Sequence, residues 1–214
     1  MGSTEGGASF ILTRVRYGGS QLSLLEERPE GPRRVALDAN SWVEHVTRWI
    51  SDDATLMETL AREAPFEQRR RWMYTKDVIE PRLTAEYPNL HEAPIPRLRA
   101  LGEELSSRYG VPYDRAWLNL YRDHHDSTAW HADRGCRRDH CIVPVLSLGE
   151  TRRFLIRPRT GGRSLTFLAR SGDLIVMGGR CQKDWVHSVP KESARAGARI
   201  SINFASSLQT TDDD

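Results

Sequence analysis

The chain has 214 residues, and its 31 Lys and Arg against 29 Asp and Glu leave a formal net charge of +2 at pH 7. That length supplies one sizeable hydrophobic core but is short for two domains, and the near balance of charge gives by itself no sign of a nucleic-acid partner. No apolar run is long enough for a transmembrane helix and the start lacks a signal-peptide pattern, so no membrane association is expected.

Helices are predicted in the first half of the chain. Polar residues just upstream offer caps for a helix over about 42–50, and a second helix is expected to begin at Asp52 or Asp53. A third helix is predicted over about 96–109, because leucines recur there at helical spacing and Gly110 follows as a stop signal.

Short strands with turns between them are predicted after residue 113. The pairs Gly161-Gly162 and Gly178-Gly179 are typical turn signals. Helices followed by many strands predict an α+β fold. Its strands are expected to close into a double-stranded β-helix, the jelly roll of cupin-like proteins, with the N-terminal helices packed against it.

Three side chains match one kind of metal site. His131 and Asp133 lie two residues apart, so a strand turns both to the same face, and 53 residues separate Asp133 from His187. Two histidines and one carboxylate form the facial triad that holds non-haem Fe(II) and leaves coordination positions open for reactants. The sequence therefore predicts an iron site at these three residues.

The closing strand alternates cleanly between apolar and polar residues. Its apolar residues are expected to face the core, which leaves Arg199, Ser201 and Asn203 on the opposite face. In a closed roll that face lines an enclosed pocket, where an arginine needs an anionic partner such as a dicarboxylate. By the same parity Asn119 and Tyr121 share one face of an earlier strand.

The cysteines give a weaker signal than the histidines. Cys136, Cys141 and Cys181 are too few and too irregularly spaced for a disulfide framework. The first two could bind zinc together with His140, but no fourth ligand follows at a supporting spacing. Free thiols in a reducing, cytoplasmic protein are therefore expected.

Arginines cluster in three places along the chain. Arg69-Arg70-Arg71 precede Trp72 and Tyr74, a mixture of cations and aromatics that is typical of strand-binding surfaces. A single surface arginine is ordinarily just solvated, but three clusters around one predicted iron site favour a phosphate backbone as partner. The other two clusters are Arg134, Arg137 and Arg138, and Arg152, Arg153, Arg157, Arg159 and Arg163.

An ordered series of motifs spans roughly residues 35–205. The motifs are EPRLTA at 80–85, NLYRD at 119–123, DS at 126–127, WHAD at 130–133, SLG at 147–149, RF at 153–154, SGDL at 171–174, MGG at 177–179, WVH at 185–187, VPK at 189–191 and RISINF at 199–204. This series resembles the AlkB family of Fe(II)- and 2-oxoglutarate-dependent dioxygenases, and its segment at 80–85 is similar to the nucleotide lid of that family.

The resemblance implies one dioxygenase domain over residues 10–208. A helical part with the nucleotide lid is expected at about 35–110, and the jelly-roll core at about 113–205. Outside the domain, residues 1–9 are small and Gly-rich and predict a disordered tail, and residues 209–214 predict a frayed acidic tail.

The resemblance also implies the cofactors, which are Fe(II) with 2-oxoglutarate and molecular oxygen as co-substrates. His131, Asp133 and His187 are expected to hold the iron. Arg199 matches the residue that binds the distal carboxylate of 2-oxoglutarate, a forked contact that Lys does not reproduce. The other residues expected around the co-substrate are Asn119, Tyr121, Ser201 and Asn203.

The reaction that the resemblance implies is oxidative demethylation of alkylated nucleic-acid bases such as N1-methyladenine and N3-methylcytosine. It releases formaldehyde and succinate and serves DNA repair. A base inside a duplex does not reach such a pocket, so the nucleic acid is expected to be single-stranded or to present a flipped-out base, with DNA favoured over RNA and the protein acting as a monomer. The base is expected to stack on His131. Candidate residues for contacting it are Trp72, Tyr74, Tyr87 and Arg134.

Two positions depart from the family pattern. A second arginine, expected six residues after Arg199, is replaced by Ala205, and the parity of the strand places the missing charge in the pocket. Arg134-Gly135-Cys136-Arg137 stands where base-repairing members carry acidic residues. Three hypotheses follow: a base demethylase, the same chemistry on modified RNA or a protein side chain, and a catalytically weak nucleic-acid-binding homologue.

Overall fold

The computed structural model describes residues 32–73, 76–133, 136 and 139–209, and the side chains of these residues except within 71–77. Apart from Gln209, both predicted tails lie outside these ranges. In chain order the elements are β1 (Pro32–Ala36), β2 (Ser41–Val46), α1 (Asp53–Glu63), β3 (Arg70–Met73), β4 (Lys76–Ile79), β5 (Leu83–Tyr87), α2 (Pro96–Tyr109), β6 (Arg115–Tyr121), β7 (Thr128–His131), β8 (Cys141–Gly149), β9 (Arg152–Pro158), β10 (Leu165–Ala169), β11 (Leu174–Gly179), α3 (Cys181–Asp184), β12 (Trp185–Val189) and β13 (Arg199–Ala205), with 3-10 turns at Leu90–Glu92 and Ser207–Gln209.

The strands form two main antiparallel sheets and one hairpin. The larger sheet has the order β1-β2-β11-β8-β13-β6-β5, and the smaller sheet has the order β10-β9-β12-β7. Strands β3 and β4 pair only with each other among the described residues. Neighbours in each sheet come from distant parts of the chain, which is the double-stranded β-helix predicted from the sequence.

Two apolar layers flank the larger sheet. In the helix-side core, leucines of α1 and α2 pack against the sheet face that carries Leu118 and Ile200. In the inter-sheet core, residues of the larger sheet such as Ile175 pack with residues of the smaller sheet such as Ile156. The helices therefore close one face of the larger sheet, and the space between the sheets is left for a site.

The predicted helix over 42–50 is wrong, because residues 41–46 form strand β2 between β1 and β11. Val43 faces the inter-sheet core and Val46 faces the helix-side core. A strand buried on both faces lacks polar alternation, and its apolar spacing then imitates a helix. β-branched valines nonetheless suit the extended backbone.

The other two predicted helices are confirmed. Helix α1 covers 53–63, and helix α2 covers 96–109 with Pro96 in its first turn. Gly110 ends α2 in the left-handed conformation (φ +66°), and its N–H donates to the carbonyl of Ser106. Pro at the start and Gly just past the end are the usual boundaries of such a helix.

The expectation of three free thiols is wrong for two of them. Cys136 and Cys141 form a disulfide that ties the segment after Asp133 to the start of β8. The irregular spacing of the three cysteines argued against a framework of several disulfides. It still permits one local disulfide, because Cys136 and Cys141 are only five positions apart. Cys181 is free and buried. The prediction of a reducing compartment rested on three free thiols, and it is therefore no longer supported by the cysteines.

Among the described residues, no helix has the length and apolar character needed to span a membrane.

Candidate metal centre

The structure brings His131, Asp133 and His187 together between the sheets. His131 and His187 form one register pair of β7 and β12, with their ring centroids 4.2 Å apart. Asp133 follows two residues beyond His131, and its Oδ1 lies 3.7 Å from His131 Nε2 and 3.6 Å from His187 Nε2. One ligand atom from each residue falls within 4.8 Å of the others, so a single ion can contact all three.

Neighbouring groups orient these three side chains. His131 Nδ1 lies 2.8 Å from the carbonyl of Ala129, and a proton donated there leaves Nε2 as the free ligand atom. The ring of Phe154 stacks on His187 at 5.4 Å. The backbone N–H of Asp133 donates to Oε1 of Gln182 at 2.8 Å. This hydrogen bond fixes the backbone at Asp133, which lies beyond the end of β7.

The electrostatics of the three residues fit a cation. Burial, together with neighbouring His131, lowers the pKa of His187 well below its usual value, so its imidazole is neutral, the form that binds metal. Burial raises the pKa of the Asp133 carboxyl, and its Oδ2 is buried without a hydrogen-bond partner. A divalent ion bound by two neutral imidazoles and this carboxylate satisfies the buried oxygen, and the donor set is the one that Fe(II) uses.

Arg199 is on β13 of the larger sheet, across the inter-sheet space from the histidines of the smaller sheet. It is 1% exposed, and its guanidinium lies 5.2 Å from the centroid of the Tyr121 ring. Its Nη2 donates to Oγ of Ser147 at 2.8 Å, whereas Nε and Nη1 are buried without a partner. Burial lowers the pKa of this guanidinium. A buried guanidinium with unused donors calls for an anionic partner, so Arg199 fits the distal carboxylate of 2-oxoglutarate.

The remaining predicted co-substrate residues line the same face. Asn119 Nδ2 donates to Oγ of Ser201 at 3.2 Å, and Asn203 Nδ2 donates to the same oxygen at 3.4 Å. The hydroxyl of Tyr121 is 2.8 Å from Oγ1 of Thr128. The structure thus brings together the whole set that the strand parity and the resemblance predicted.

Three neighbouring residues had no role assigned from the sequence. Ser147 and Arg82 lie inside recognised motifs, and the structure shows Arg82 Nε donating to Oδ1 of Asn119 at 2.8 Å. Gln182 carries no sequence signal of its own. It is 2% exposed in α3, and its position beside Asp133 arises only from the fold.

Ala205, where the second arginine was expected, points toward the metal ligands. It lines a cavity of about 10 Å³ together with Asp133, Trp117 and Gln209. No described basic side chain lies among the residues that line this cavity. The missing arginine is therefore replaced by a small space beside the unpartnered Asp133 oxygen.

The structure corrects the candidate Tyr87. This residue is 5% exposed and belongs to the helix-side core, opposite Ala116 in the register of β5 and β6. The face of β5 that carries it points away from His131, so Tyr87 does not stack on a base there. The Trp72 side chain, Tyr74 and Arg134 lie outside what the structure describes.

Comparisons with known proteins agree with this geometry. The family model described as the 2OG-Fe(II) oxygenase superfamily matches residues 37–204. A solved structure of a prolyl hydroxylase with a hypoxia inducible factor peptide fragment, from Trichoplax adhaerens, superposes with a TM-score of 0.57 over 78% of this chain and 84% of that one. At 12% identity this likeness shows the fold alone.

Sequence relatives narrow the family further. The alpha-ketoglutarate-dependent dioxygenase alkB homolog 3 of Homo sapiens is 31% identical over 88% of this chain and 70% of its own length. The DNA oxidative demethylase ALKBH2 of Arabidopsis thaliana is 32% identical over 44% of this chain and 38% of its own length. The chain therefore belongs to the AlkB family of Fe(II)- and 2-oxoglutarate-dependent dioxygenases, whose cofactors are Fe(II), 2-oxoglutarate and molecular oxygen.

Proposed function

We propose that this dioxygenase removes methyl groups from alkylated nucleic-acid bases of the N1-methyladenine and N3-methylcytosine type, in DNA repair. The observation that carries the proposal is the His131-Asp133-His187 cluster beside a buried, half-paired Arg199. Fe(II) held by His131, Asp133 and His187 would supply, with 2-oxoglutarate and oxygen, the oxidation of the methyl carbon to a hydroxymethyl group, with succinate and carbon dioxide as the other products. The hydroxymethyl group then leaves the ring nitrogen as formaldehyde.

The protein supplies position and a water-poor pocket for that chemistry. Arg199 binds the distal carboxylate of 2-oxoglutarate through its guanidinium, which has unused donors. Asn119 and Tyr121 present polar groups along the same face. Since the metal ligands and Arg199 all come from one chain, a monomer forms a complete site.

The two histidine side chains differ in their exposure to solvent. The side chain of His131 is 39% exposed, whereas that of His187 is 7% exposed. An exposed imidazole at the mouth of the pocket suits stacking of a base that has left its helix, or of a base in a single strand. The similarity to the Arabidopsis thaliana relative, a DNA oxidative demethylase, supports DNA over RNA as the substrate.

A mass measurement tests the proposal. The protein is reconstituted anaerobically with Fe(II) and 2-oxoglutarate, then given oxygen and a single-stranded oligonucleotide that carries N1-methyladenine or N3-methylcytosine. Loss of about 14 daltons from the oligonucleotide is expected, dependent on both cofactors. Asp133→Ala is the matched control and is expected to be inactive. Succinate without a mass change would discard this substrate and retain the oxygenase.

A second candidate function follows from Ala205. Without the second arginine, no basic residue of the described part of the chain lines the cavity that Ala205 shares with Asp133, and turnover is expected to be slow. The protein would then act mainly as a nucleic-acid-binding homologue. An oligonucleotide that binds, in the absence of both mass change and succinate, would favour this candidate. A methylated RNA oligonucleotide and methylated peptides run in parallel test the remaining alternatives.

A further inference from the structure

The structure separates four arginines of β9 and the turn after it into three kinds. Arg152 is fully buried and donates to the backbone carbonyls of Asp123, Asp126 and Pro190, so it braces loops. Arg153 is neutralised by Glu192, with Nε 2.9 Å from Oε2.

Arg157 and Arg159 carry positive charge that no neighbouring carboxylate neutralises among the described residues. Among the described residues, neither Arg157 nor Arg159 has a carboxylate partner, and Arg159 donates only to the carbonyls of Gln182 and Lys183. The Nε of Arg157 is buried without any hydrogen-bond partner. Positive charge is therefore left unpaired at one end of β9.

An exposed aromatic lies against this charge. Trp130 directly precedes His131 on β7, which is the edge strand of the smaller sheet, and it is 36% exposed. The guanidinium of Arg157 lies over the Trp130 ring, 4.2 Å from its centroid.

The register fixes how close this pair is to the metal site. Arg157 pairs with Val186 of β12, and the next residue, His187, pairs with both Ile156 and His131. Trp130 and Arg157 thus lie one residue along their strands from the two metal-binding histidines. Because neighbouring residues of a strand face opposite ways, the pair is on the outer face of the smaller sheet, at its β7 edge, and a bound strand reaches it around that edge.

We propose that Trp130, Arg157 and Arg159, here called the Trp130 surface, bind the stretch of single-stranded nucleic acid next to the base in the pocket. The inference rests on the proposed function and adds where the flanking strand runs. An exposed indole stacks on any base, and unpaired guanidinium groups beside it bind phosphate. A guanidinium already stacked on tryptophan loses less freedom when it binds.

Binding, measured without turnover, tests the Trp130 surface. A fluorescent single-stranded oligonucleotide of about ten nucleotides, carrying N1-methyladenine, is titrated by anisotropy with the protein loaded with Mn(II) and 2-oxoglutarate. Trp130→Ala is expected to raise Kd about tenfold, and Trp130→Phe only slightly. Arg157→Gln is expected to lower the slope of log K against log salt by about 0.7, the loss of one phosphate contact.

Arg153→Gln is the matched control, because it removes the same charge from the same strand at a position that Glu192 already neutralises. Its salt slope is expected to equal that of the wild type. Circular dichroism of each variant checks that the sheets are intact. Wild-type affinity in both Trp130→Ala and Arg157→Gln, or an equal slope change in Arg153→Gln, would overturn the Trp130 surface. If the wild type itself binds no oligonucleotide yet forms succinate, the proposed function fails, and the surface with it.

Discussion

Arg199 is a buried cation with only one of its three donor nitrogens paired. Arg199→Lys is expected to raise the Kd for 2-oxoglutarate by about ten- to a hundredfold, because an ammonium group does not reproduce the planar guanidinium and loses its charge readily when buried. Calorimetric titration of 2-oxoglutarate into the Mn(II) protein measures the change. Ser147→Ala, which removes only the existing partner, is expected to have a smaller effect. Equal affinity in Arg199→Lys would mean that the co-substrate binds elsewhere.

Ala205 leaves room for about one water, so a long side chain does not fit there. Ala205→Arg is expected to lower the free energy of unfolding by about 1–3 kcal/mol, since the new side chain displaces Trp117 or Gln209. Urea denaturation measures this loss. Ala205→Ser fits the cavity and can donate to Asp133 Oδ2, so it is expected to be at least as stable as the wild type. An arginine variant of wild-type stability would show that the pocket retains space for the family residue.

Site residues could be predicted from the sequence where neighbouring residues of the same strand showed which face each side chain is on. His131 and Asp133 are two apart on one strand, and Arg199 alternates with core residues, so parity alone assigned their faces. Tyr87 failed although its own strand alternates: it shares the apolar face of β5 with Leu83 and Ala85, whereas Glu86 on the other face is exposed. The same parity that assigned Arg199 therefore places Tyr87 in the helix-side core.

At the scale of elements, the four-residue helix α3 connects the two halves of the metal site. Its Gln182 accepts from the N–H of Asp133 and donates to Met177 Sδ at 3.4 Å, and the helix leads directly into the strand that carries His187. Asp133 lies beyond the end of β7, so this amide takes the place of a sheet hydrogen bond. Gln182 is therefore a positioning residue.

Gln182→Met keeps the length of the side chain and removes the acceptor. It is expected to weaken metal binding about ten- to a hundredfold, as loss of such supporting contacts ordinarily does. Titration with Co(II), followed by its visible absorption, measures the affinity and the geometry separately from turnover. Gln182→Glu retains an acceptor oxygen and is expected to recover most of the affinity. Unchanged Co(II) spectra and affinity in Gln182→Met would remove this role.

Asp173 joins β2 to the turn before β11. It accepts from the N–H groups of Arg48 and Arg170 at 3.0 and 3.2 Å and lies 3.0 Å from His45 Nε2. Burial alone raises the pKa of this carboxyl, but the hydrogen bonds from His45 and the two amides bring it below its usual value.

A depressed pKa makes the contribution of Asp173 depend on pH in a known direction. The stabilisation is complete above the unfolded pKa of about 4 and is lost as the pH falls through the lower folded pKa. Asp173→Asn is expected to cost about 1–3 kcal/mol at pH 7, with the difference from the wild type shrinking in acid. Urea unfolding of both proteins across acidic pH measures it. A constant difference would mean that the carboxylate charge contributes nothing.

Prediction of elements succeeded where several local signals agreed and failed for strand β2. Helix α2 was predicted because its leucine stripe, Pro96 and Gly110 agree with one another. Strand β2 was missed because it lies inside a sheet covered on both sides. The pairing order of the sheets depends on contacts between distant residues, which local patterns do not encode.

At the scale of the whole molecule, the number of cysteine thiols that react with a thiol reagent tests the structure. Burial raises the pKa of the Cys181 thiol to about 12, and Cys136 and Cys141 are bonded. Of the three cysteines, none is expected to react with a thiol reagent at neutral pH in the native protein, one after denaturation, and three after reduction in denaturant. Three reactive thiols in unreduced, denatured protein would show that the disulfide is absent.

The pairing of His131 with His187 also has a consequence for folding. A slip of one residue between β7 and β12 turns every side chain of the slipped strand to the opposite face, so it would carry one histidine out of reach of the ion. A misregistered molecule could keep all its strands and still lose its metal. The fraction of refolded protein that retains Co(II) therefore measures the fraction that found the correct register, a quantity that spectroscopy of secondary structure does not detect.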